Sequence, residues 1–237
     1  MPGTYDEHSV QRGMWLLQAL HRWGVSGAFY TLMAFIMMPV YTFVLAFCNR
    51  LEVIGRENFP EGRGVFVISN HQSMWDGQII GTLLFPKAFW FPSKAEFFPN
   101  LAGSLLFMTL TAFRGFPVRR GERDLRAIRF MESLLRDGHN ILIFPEGTRS
   151  RDGSLGEGKP GVGALIVQTK PTVVPIYLEG FHRVRGLRLF GNRLKVVVGT
   201  PVDLCEGIDA IDQRQARRIV ATRAMEAIAA LREKGSS

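Results

Sequence analysis

The residues whose types and spacing best suit catalysis are His71 and Asp76, in the stretch SNHQSMWD. The two residues are five positions apart, and each position turns a helix by about 100°. In one continuous helix their side chains would therefore point about 140° apart. They can meet if His71 lies in a turn after a strand and Asp76 lies in the first turn of the next helix. The carboxylate would then fix the imidazole tautomer and leave the second ring nitrogen as a base.

This pair is half of a catalytic triad, with the nucleophile missing. A base without a protein nucleophile indicates that a hydroxyl group of the substrate is the nucleophile. Two alternatives remain for His71 and Asp76. They could form a structural pair, or they could be two ligands of a metal ion.

A second group of polar residues follows an apolar run in ILIFPEGTRS, residues 141–150. Glu146 and Arg149 are close enough in sequence to pair while the guanidinium fork is offered to a phosphate. Gly147 allows a ligand to approach the backbone closely. The stretch therefore predicts a phosphate site, and an ordinary capped loop with a surface ion pair is the alternative.

Two further stretches interrupt the apolar pattern. Arg114, Arg119 and Arg120 flank a four-residue strand in FRGFPVRRGERD, which indicates either an anion site or a solvated basic turn. Pro175 interrupts the apolar run of VVPIYLEG. Because proline has no N–H to donate to a sheet, we expect a bulge or an edge position there.

The elements that position these residues follow Arg50, where short apolar runs alternate with segments of helical periodicity. Continuous apolar strands between helices indicate an α/β fold, with a largely parallel sheet flanked by helices. In such sheets ligands bind at the carboxyl ends of the strands. The predicted strands are 64–69, 88–91, 115–118, 140–144, 172–178 and 194–199, and the predicted helices lie near 75–85, 101–113, 124–137, 161–169 and 209–233.

The segment before the predicted sheet has a different composition. Residues 23–49 carry no charge, and as a helix they would span roughly 40 Å, enough to cross a bilayer. Pro39 lies within the run, so two shorter helices dipping into one leaflet are an alternative to one straight helix. We expect a hydrophobic, membrane-anchoring helical segment at 1–50 and a second domain at 51–237. A buried core helix is the other interpretation of the run.

The composition bounds the class of protein and of partner. The chain has 237 residues, and 29 Lys and Arg against 21 Asp and Glu give a net charge of +8. This charge favours an anionic partner: nucleic acid, a membrane surface or a phosphorylated substrate. The hydrophobic content of 46% excludes a disordered chain, and two distant cysteines exclude a disulfide scaffold.

In their order and spacing, the stretches NHQSMWD, FPVRR, FPEGTRS and VVPIYLEG resemble the four motifs of the glycerolipid acyltransferases. Within that family the chain is most similar to the bacterial 1-acyl-sn-glycerol-3-phosphate acyltransferases. The resemblance implies that His71 is the general base, that Asp76 is its orienting partner and that Pro175 lies on the acyl-donor side. It implies a binding site for the glycerol phosphate made of Lys94, Arg119, Arg120, Glu146, Gly147, Thr148, Arg149 and Lys159.

The function implied by this resemblance is transfer of an acyl chain from acyl-CoA or acyl carrier protein to the sn-2 hydroxyl of 1-acyl-glycerol 3-phosphate, which makes phosphatidic acid. No metal or cofactor is expected, and the partners are membrane lipids and the acyl donor, not nucleic acid. The expected location is the cell membrane, with the catalytic domain facing the cytoplasm. The oligomeric state is left open.

Three alternatives to this function remain. A related acyltransferase could use another acceptor, such as a lysophospholipid or a lyso-ornithine lipid. A hydrolase of lipid esters would use water as the nucleophile. A membrane-binding or nucleic-acid-binding protein without catalytic activity would leave the His–Asp and Glu–Arg pairs as coincidences.

Overall fold

The structure of the protein is a computed structural model that describes residues 48–98, 114–118, 124–184 and 190–234, together with several single helical positions. The predicted anchoring segment lies almost entirely outside the described residues. So do Arg119, Arg120 and all but one residue of the predicted helix 101–113. The single positions are Trp15, Ala19, Leu32, Phe35, Ile36, Phe43 and Gly103.

The chain divides into two compact units. The smaller unit comprises Met1–Val40 and Phe89–Phe130, and the larger unit comprises Tyr41–Ala88 and Met131–Ser237. The boundary predicted at residue 50 between an anchoring segment and a catalytic domain stays a prediction.

The described chain contains seven strands and four α-helices of more than one turn, and α-helices follow β2, β4, β5 and β7. The strands are β1 (Arg50–Ile54), β2 (Val65–Ser69), β3 (Phe89–Lys94), β4 (Gly115–Val118), β5 (Asn140–Ile143), β6 (Thr172–Glu179) and β7 (Arg193–Val198). The helices are α1 (Asp76–Leu83), α2 (Leu125–Arg136), α3 (Pro160–Thr169) and α4 (Gln213–Lys234).

In the larger unit the strands lie side by side in the order β1-β7-β6-β2-β5. β2 is parallel to both β5 and β6, and β1 is parallel to β7, whereas β6 and β7 run antiparallel. The fold is therefore α/β with a mostly parallel sheet, as predicted. One end of this sheet holds the carboxyl ends of β2, β5 and β6 and the amino ends of β1 and β7.

Burial explains why the central strands are apolar without interruption. All five residues of β2 are buried, and β6 is buried from Val173 to Leu178. On one side α4 covers the sheet with the buried side chains of Val220, Ala224, Ile228 and Leu231. A strand with covered faces on both sides is expected to be apolar throughout.

In the smaller unit β3 and β4 are parallel neighbours, with Phe91 aligned with Gly115. Phe130, at the end of the part of α2 that belongs to this unit, meets two aromatic rings edge to face. Its ring centroid lies 5.7 Å from that of Trp90 and 5.2 Å from that of Phe116. These three side chains form an aromatic core.

The sequence predicts a bulge or an edge position for Pro175, and the structure excludes the edge position. β6 lies between β2 and β7, and Pro175 is aligned with Ile68 of β2. The predicted bulge is present on the facing strand, because Val173 pairs with Val202 and Ile176 pairs with Val198. From Val198 to Val202 the chain advances by four residues, whereas β6 advances by three from Val173 to Ile176, so the β7 side has one extra residue. Gly199 donates its N–H to the carbonyl of Pro175 (2.9 Å).

Candidate active site

His71 and Asp76 are in contact, in the arrangement that the sequence predicts. His71 lies two residues beyond β2, and Asp76 is the first residue of α1. Nδ1 of His71 lies 2.8 Å from Oδ2 of Asp76. Because a carboxylate can only accept, Nδ1 carries the proton and Nε2 is left as the basic nitrogen.

The carboxylate of Asp76 is fully buried and strongly positioned. Its Oδ2 also accepts the backbone N–H groups of Gln72 (2.6 Å) and Ser73 (2.8 Å). The other oxygen, Oδ1, is buried and makes no hydrogen bond within the described part of the chain. The start of α1 contributes a favourable electrostatic environment for this negative charge, since the amino end of a helix carries partial positive charge.

The imidazole of His71 is held from its face as well as from its edge. Its ring stacks on that of Phe144, with centroids 4.1 Å apart and planes 14° apart. The side chain is 12% exposed, so it is enclosed but accessible. A base of this kind can reach a proton at the surface of the molecule without leaving its carboxylate partner.

Two amide side chains beside His71 connect its turn by hydrogen bonds to the end of β6. The side chain of Asn70 accepts the N–H of Leu178 (2.7 Å) and donates to the carbonyl of the same residue (2.9 Å). Gln72 donates to that carbonyl as well (2.8 Å) and accepts the N–H of His182 (3.2 Å). Both amide side chains are buried. The apolar pattern of the sequence does not indicate this role for them; the signal in the sequence is an amide residue on each side of His71.

Glu146 connects the second polar stretch to His71. Its carboxylate accepts the backbone N–H of His71 (3.1 Å) and that of Gly156 (3.3 Å). In return, the carbonyl of His71 accepts the N–H of Ser150 (2.7 Å). Glu146 is 4% exposed, and this burial raises the pKa of its carboxyl group, although both amide hydrogen bonds and His71 oppose the rise.

The ion pair that the spacing of Glu146 and Arg149 allows is not formed. Within the described residues Glu146 makes no ion pair with Arg149, because its carboxylate turns inward to backbone amides while Arg149 is exposed. The short spacing in sequence allows such a pair but does not decide which way the carboxylate turns. The predicted role of Glu146 in substrate binding stays a prediction.

The other predicted phosphate ligands of this stretch surround one loop. Gly147 has a φ of 67°, a backbone conformation that favours glycine. The Cγ atom of Lys159 lies 3.5 Å from where a Cβ atom of residue 147 would be, and the N–H of Lys159 donates to the carbonyl of Pro145 (2.9 Å). Thr148, Arg149 and Lys159 are exposed. An anion in solvent can therefore reach both cationic side chains.

The remaining predicted ligands are not among the described residues of the larger unit, which contains this loop. Lys94 is the last residue of β3 and belongs to the smaller unit, where it is half-buried. Arg119 and Arg120 lie outside the described residues. Their predicted roles stay predictions.

The interpretation of His71 and Asp76 as metal ligands finds no further ligands in the described part of the chain. There, no group of three or more His, Cys, Asp or Glu residues is placed to hold a metal ion.

Within the described residues, no helix is both long enough and apolar enough to cross a membrane.

The chain is similar to known proteins over the region that contains the site. A chloroplastic 1-acyl-sn-glycerol-3-phosphate acyltransferase of Arabidopsis thaliana is 34% identical over 161 residues, which are 65% of this chain and 44% of that protein. A 1-acyl-sn-glycerol-3-phosphate acyltransferase of Bacillus subtilis is 28% identical over 162 residues, which are 67% of this chain and 77% of that protein. The chain spans less than half the length of the plant and algal relatives that it matches.

Among solved structures, the fold is similar to that of the 1-acyl-sn-glycerophosphate acyltransferase PlsC of Thermotoga maritima. The TM-score is 0.61 at 25% sequence identity, and the match covers 94% of this chain and 90% of that one. The sequence pattern of the acyltransferase family matches residues 50–179, more than half of the chain, and includes both His71 and Glu146. The protein therefore belongs to the acyltransferase family.

Proposed function

We propose that this protein transfers an acyl chain from acyl-CoA or acyl carrier protein to the sn-2 hydroxyl of 1-acyl-glycerol 3-phosphate, which yields phosphatidic acid. The observation that carries the proposal is the hydrogen bond between Nδ1 of His71 and the buried carboxylate of Asp76. It supplies a base whose second nitrogen is available to a substrate. The names of the relatives support the choice of acceptor.

In the proposed reaction Nε2 of His71 takes the proton of the sn-2 hydroxyl while the hydroxyl oxygen attacks the thioester carbonyl. Asp76 stabilises the imidazolium that forms. When the tetrahedral intermediate collapses, the carbon–sulfur bond breaks and the imidazolium returns its proton to the departing thiolate. General-base catalysis of this kind contributes about 10²- to 10⁴-fold in rate.

In this proposal the phosphate of the acceptor is bound beside the loop of Gly147. Arg149 provides a planar fork of donors that suits phosphate oxygens, and Lys159 provides a second positive charge. Both side chains are exposed, and their loop is hydrogen-bonded to His71 through Glu146 and Ser150. This connection would hold the phosphate at a set distance from the base.

The donor and the location belong to the same proposal. Both the acceptor and the product are membrane lipids, so we expect the enzyme at the cell membrane with His71 facing the cytoplasm. Arg119, Arg120 and Lys94 are further proposed phosphate ligands, and we propose no metal or other cofactor in any step.

A panel of acceptors and donors tests the proposal. The purified protein is given acyl-CoA or acyl carrier protein together with lysophosphatidate, a zwitterionic lysophospholipid, a lyso-ornithine lipid or no acceptor. We expect transfer to lysophosphatidate to be fastest. Preference for another lipid would contradict the acceptor assignment, and release of free fatty acid without transfer would indicate a hydrolase.

A further inference from the structure

An exposed aromatic and basic edge lies on the larger unit and includes none of the residues of the proposed reaction. It consists of Phe190, Arg50 and Arg193, and we call it the Phe190 edge. Phe190 is 62% exposed, and both arginines are exposed. A phenylalanine this exposed loses the stabilisation that burial of its ring would provide.

The two arginines of this edge are direct neighbours in the sheet. Arg50 of β1 is aligned with Arg193 of β7, and two residues further on the same ladder aligns Glu52 with Lys195. The second pair forms an ion pair at 3.3 Å. Like charges side by side on a sheet are destabilising, and no described acidic side chain forms an ion pair with either arginine. An external anion would relieve this repulsion.

The Phe190 edge is joined by hydrogen bonds to the end of the uncharged run 23–49. The N–H of Gly191 donates to the carbonyl of Cys48 (2.6 Å), and the side chain of Asn49 accepts the N–H of Asn192 (3.1 Å). Asn49 is buried. If the uncharged run is held in a bilayer, Phe190 must lie at the level where the chain leaves it.

The sheet topology places the Phe190 edge at the same end of the sheet as His71. β7 runs antiparallel to β6, so its first residue, Arg193, lies near the carboxyl end of β6, where Glu179 is aligned with Lys195. The turn of His71 is fastened to Leu178 at that same end. A surface that contacts the Phe190 edge is therefore on the side from which a substrate would reach His71.

We propose that the Phe190 edge docks onto an anionic lipid bilayer, with Phe190 inserted at the interface and Arg50 and Arg193 bound to the headgroups. This inference rests on the proposed function, since it explains how the site faces a lipid acceptor. Aromatic side chains favour the interface, and cations near an anionic membrane surface are attracted to it. Continuity with the uncharged run favours a bilayer over an acidic protein as the occupant.

The test places a fluorophore at the edge and measures its contact with lipid. In a Cys48→Ser/Cys205→Ser background, Phe190→Cys carries an environment-sensitive label, and the full chain is added to vesicles of phosphatidylcholine with or without phosphatidylglycerol. The matched control is Gly62→Cys, an exposed position before the amino end of β2 where a side chain meets nothing within 4 Å. We expect anionic vesicles to protect the label at 190 from aqueous acrylamide and to leave the label at 62 unprotected.

The charges are tested in the same labelled protein. Arg50→Gln/Arg193→Gln should remove the difference between anionic and neutral vesicles, and high salt should weaken it. Arg63→Gln/Arg136→Gln removes two exposed cations from the opposite end of the sheet and should leave it unchanged.

Equal quenching at 190 and 62 in anionic vesicles would overturn the proposal, and so would protection at 190 by acyl carrier protein but not by vesicles. Because this readout needs no catalysis, it separates the docking surface from the proposed function. A protein that docks but transfers no acyl chain would contradict only the latter.

Discussion

His71 and Asp76 meet because Asp76 is the first residue of α1 and not a residue of its middle turns. There its carboxylate can bind the amides of Gln72 and Ser73 as well as the imidazole of His71. The two backbone amides hold the carboxylate of Asp76 in place, and this carboxylate orients the imidazole of His71. The sequence could predict this contact because the spacing excludes one continuous helix and leaves a turn followed by a helix.

The variant Asp76→Asn tests the orienting role. The NH₂ group of the introduced asparagine cannot accept a hydrogen bond from Nδ1 of His71. Its presence there would favour the wrong tautomer of His71, in which Nε2 carries the proton. We expect kcat to fall by about 10²- to 10⁴-fold while circular dichroism shows an unchanged fold. A folded Asp76→Asn variant with nearly normal kcat would contradict the role.

Replacement of Arg149 by Lys tests the proposed phosphate site. An ammonium group cannot reproduce the bidentate fork of a guanidinium, so the KM for lysophosphatidate should rise more than kcat falls. Arg136→Lys, at an exposed position near the opposite end of the sheet, is the matched control and should change neither constant. An unchanged KM for Arg149→Lys would remove Arg149 from the site.

Because the carboxyl group of Glu146 is buried, we expect the stability of the protein to depend on pH. Burial raises the pKa of its carboxyl group above the ordinary value of 4.5. Between that value and the raised pKa, the folded protein holds a proton that the unfolded chain has released. The contribution of this group to stability is therefore present below pH 4.5 and is lost as the pH rises through the raised pKa.

Urea unfolding at a series of pH values measures this contribution. Because Gln does not titrate, Glu146→Gln should remove this part of the decline in the free energy of unfolding. A decline of the same size in wild type and variant would show that other groups cause it.

At the scale of elements, the close contact of α3 with α4 depends on a glycine. A Cβ atom on Gly163 would collide with the backbone carbonyl of Arg217 in α4, whereas one on Gly161 of the same helix would meet nothing within 4 Å. We therefore expect Gly163→Ala to destabilise the protein by about 1–3 kcal/mol, as overpacking does. Gly161→Ala should be neutral or stabilise the protein by up to about 1 kcal/mol. Thermal unfolding of the two variants decides, and equal stabilities would contradict this packing.

Continuous apolar runs predicted the central strands, but the exposed strand β1 was missed. Its sequence RLEVI alternates charged and apolar residues, and at the edge of the sheet only two of its five positions are half-buried while the rest are exposed. In α2 two overlapping stripes of apolar residues have helical spacing, and Leu125 belongs to one of them. The structure buries the stripe of Ala127, Phe130 and Leu134 and leaves Leu125 54% exposed. Periodicity alone does not distinguish such stripes.

The site shows the same limit. The sequence located the turn of His71 and the loop of Arg149, because polar residues interrupt apolar runs there. It could not show that Glu146 turns inward, or that Asn70 and Gln72 fasten the turn to Leu178. Those contacts join residues 75 to 108 positions apart, and no local pattern records them.

At the scale of the whole molecule, the net charge of +8 is consistent with a protein that works against anionic lipids. Several of its cations lie at the end of the sheet that carries His71, among them Arg50, Arg149 and Arg193. The uncharged run 23–49 ends there too, at Cys48 and Asn49, which are hydrogen-bonded to the loop that precedes β7. His71, these arginines and the last two residues of the run thus lie at one end of the larger unit.

The most direct test of the central claim is acyl transfer by purified His71→Ala, measured as labelled phosphatidic acid formed from lysophosphatidate and acyl-CoA. We predict a loss of about 10²- to 10⁴-fold relative to wild type, with the thermal unfolding of the variant showing a folded protein. Transfer at nearly the wild-type rate by a folded His71→Ala variant would contradict the assignment of His71 as the base.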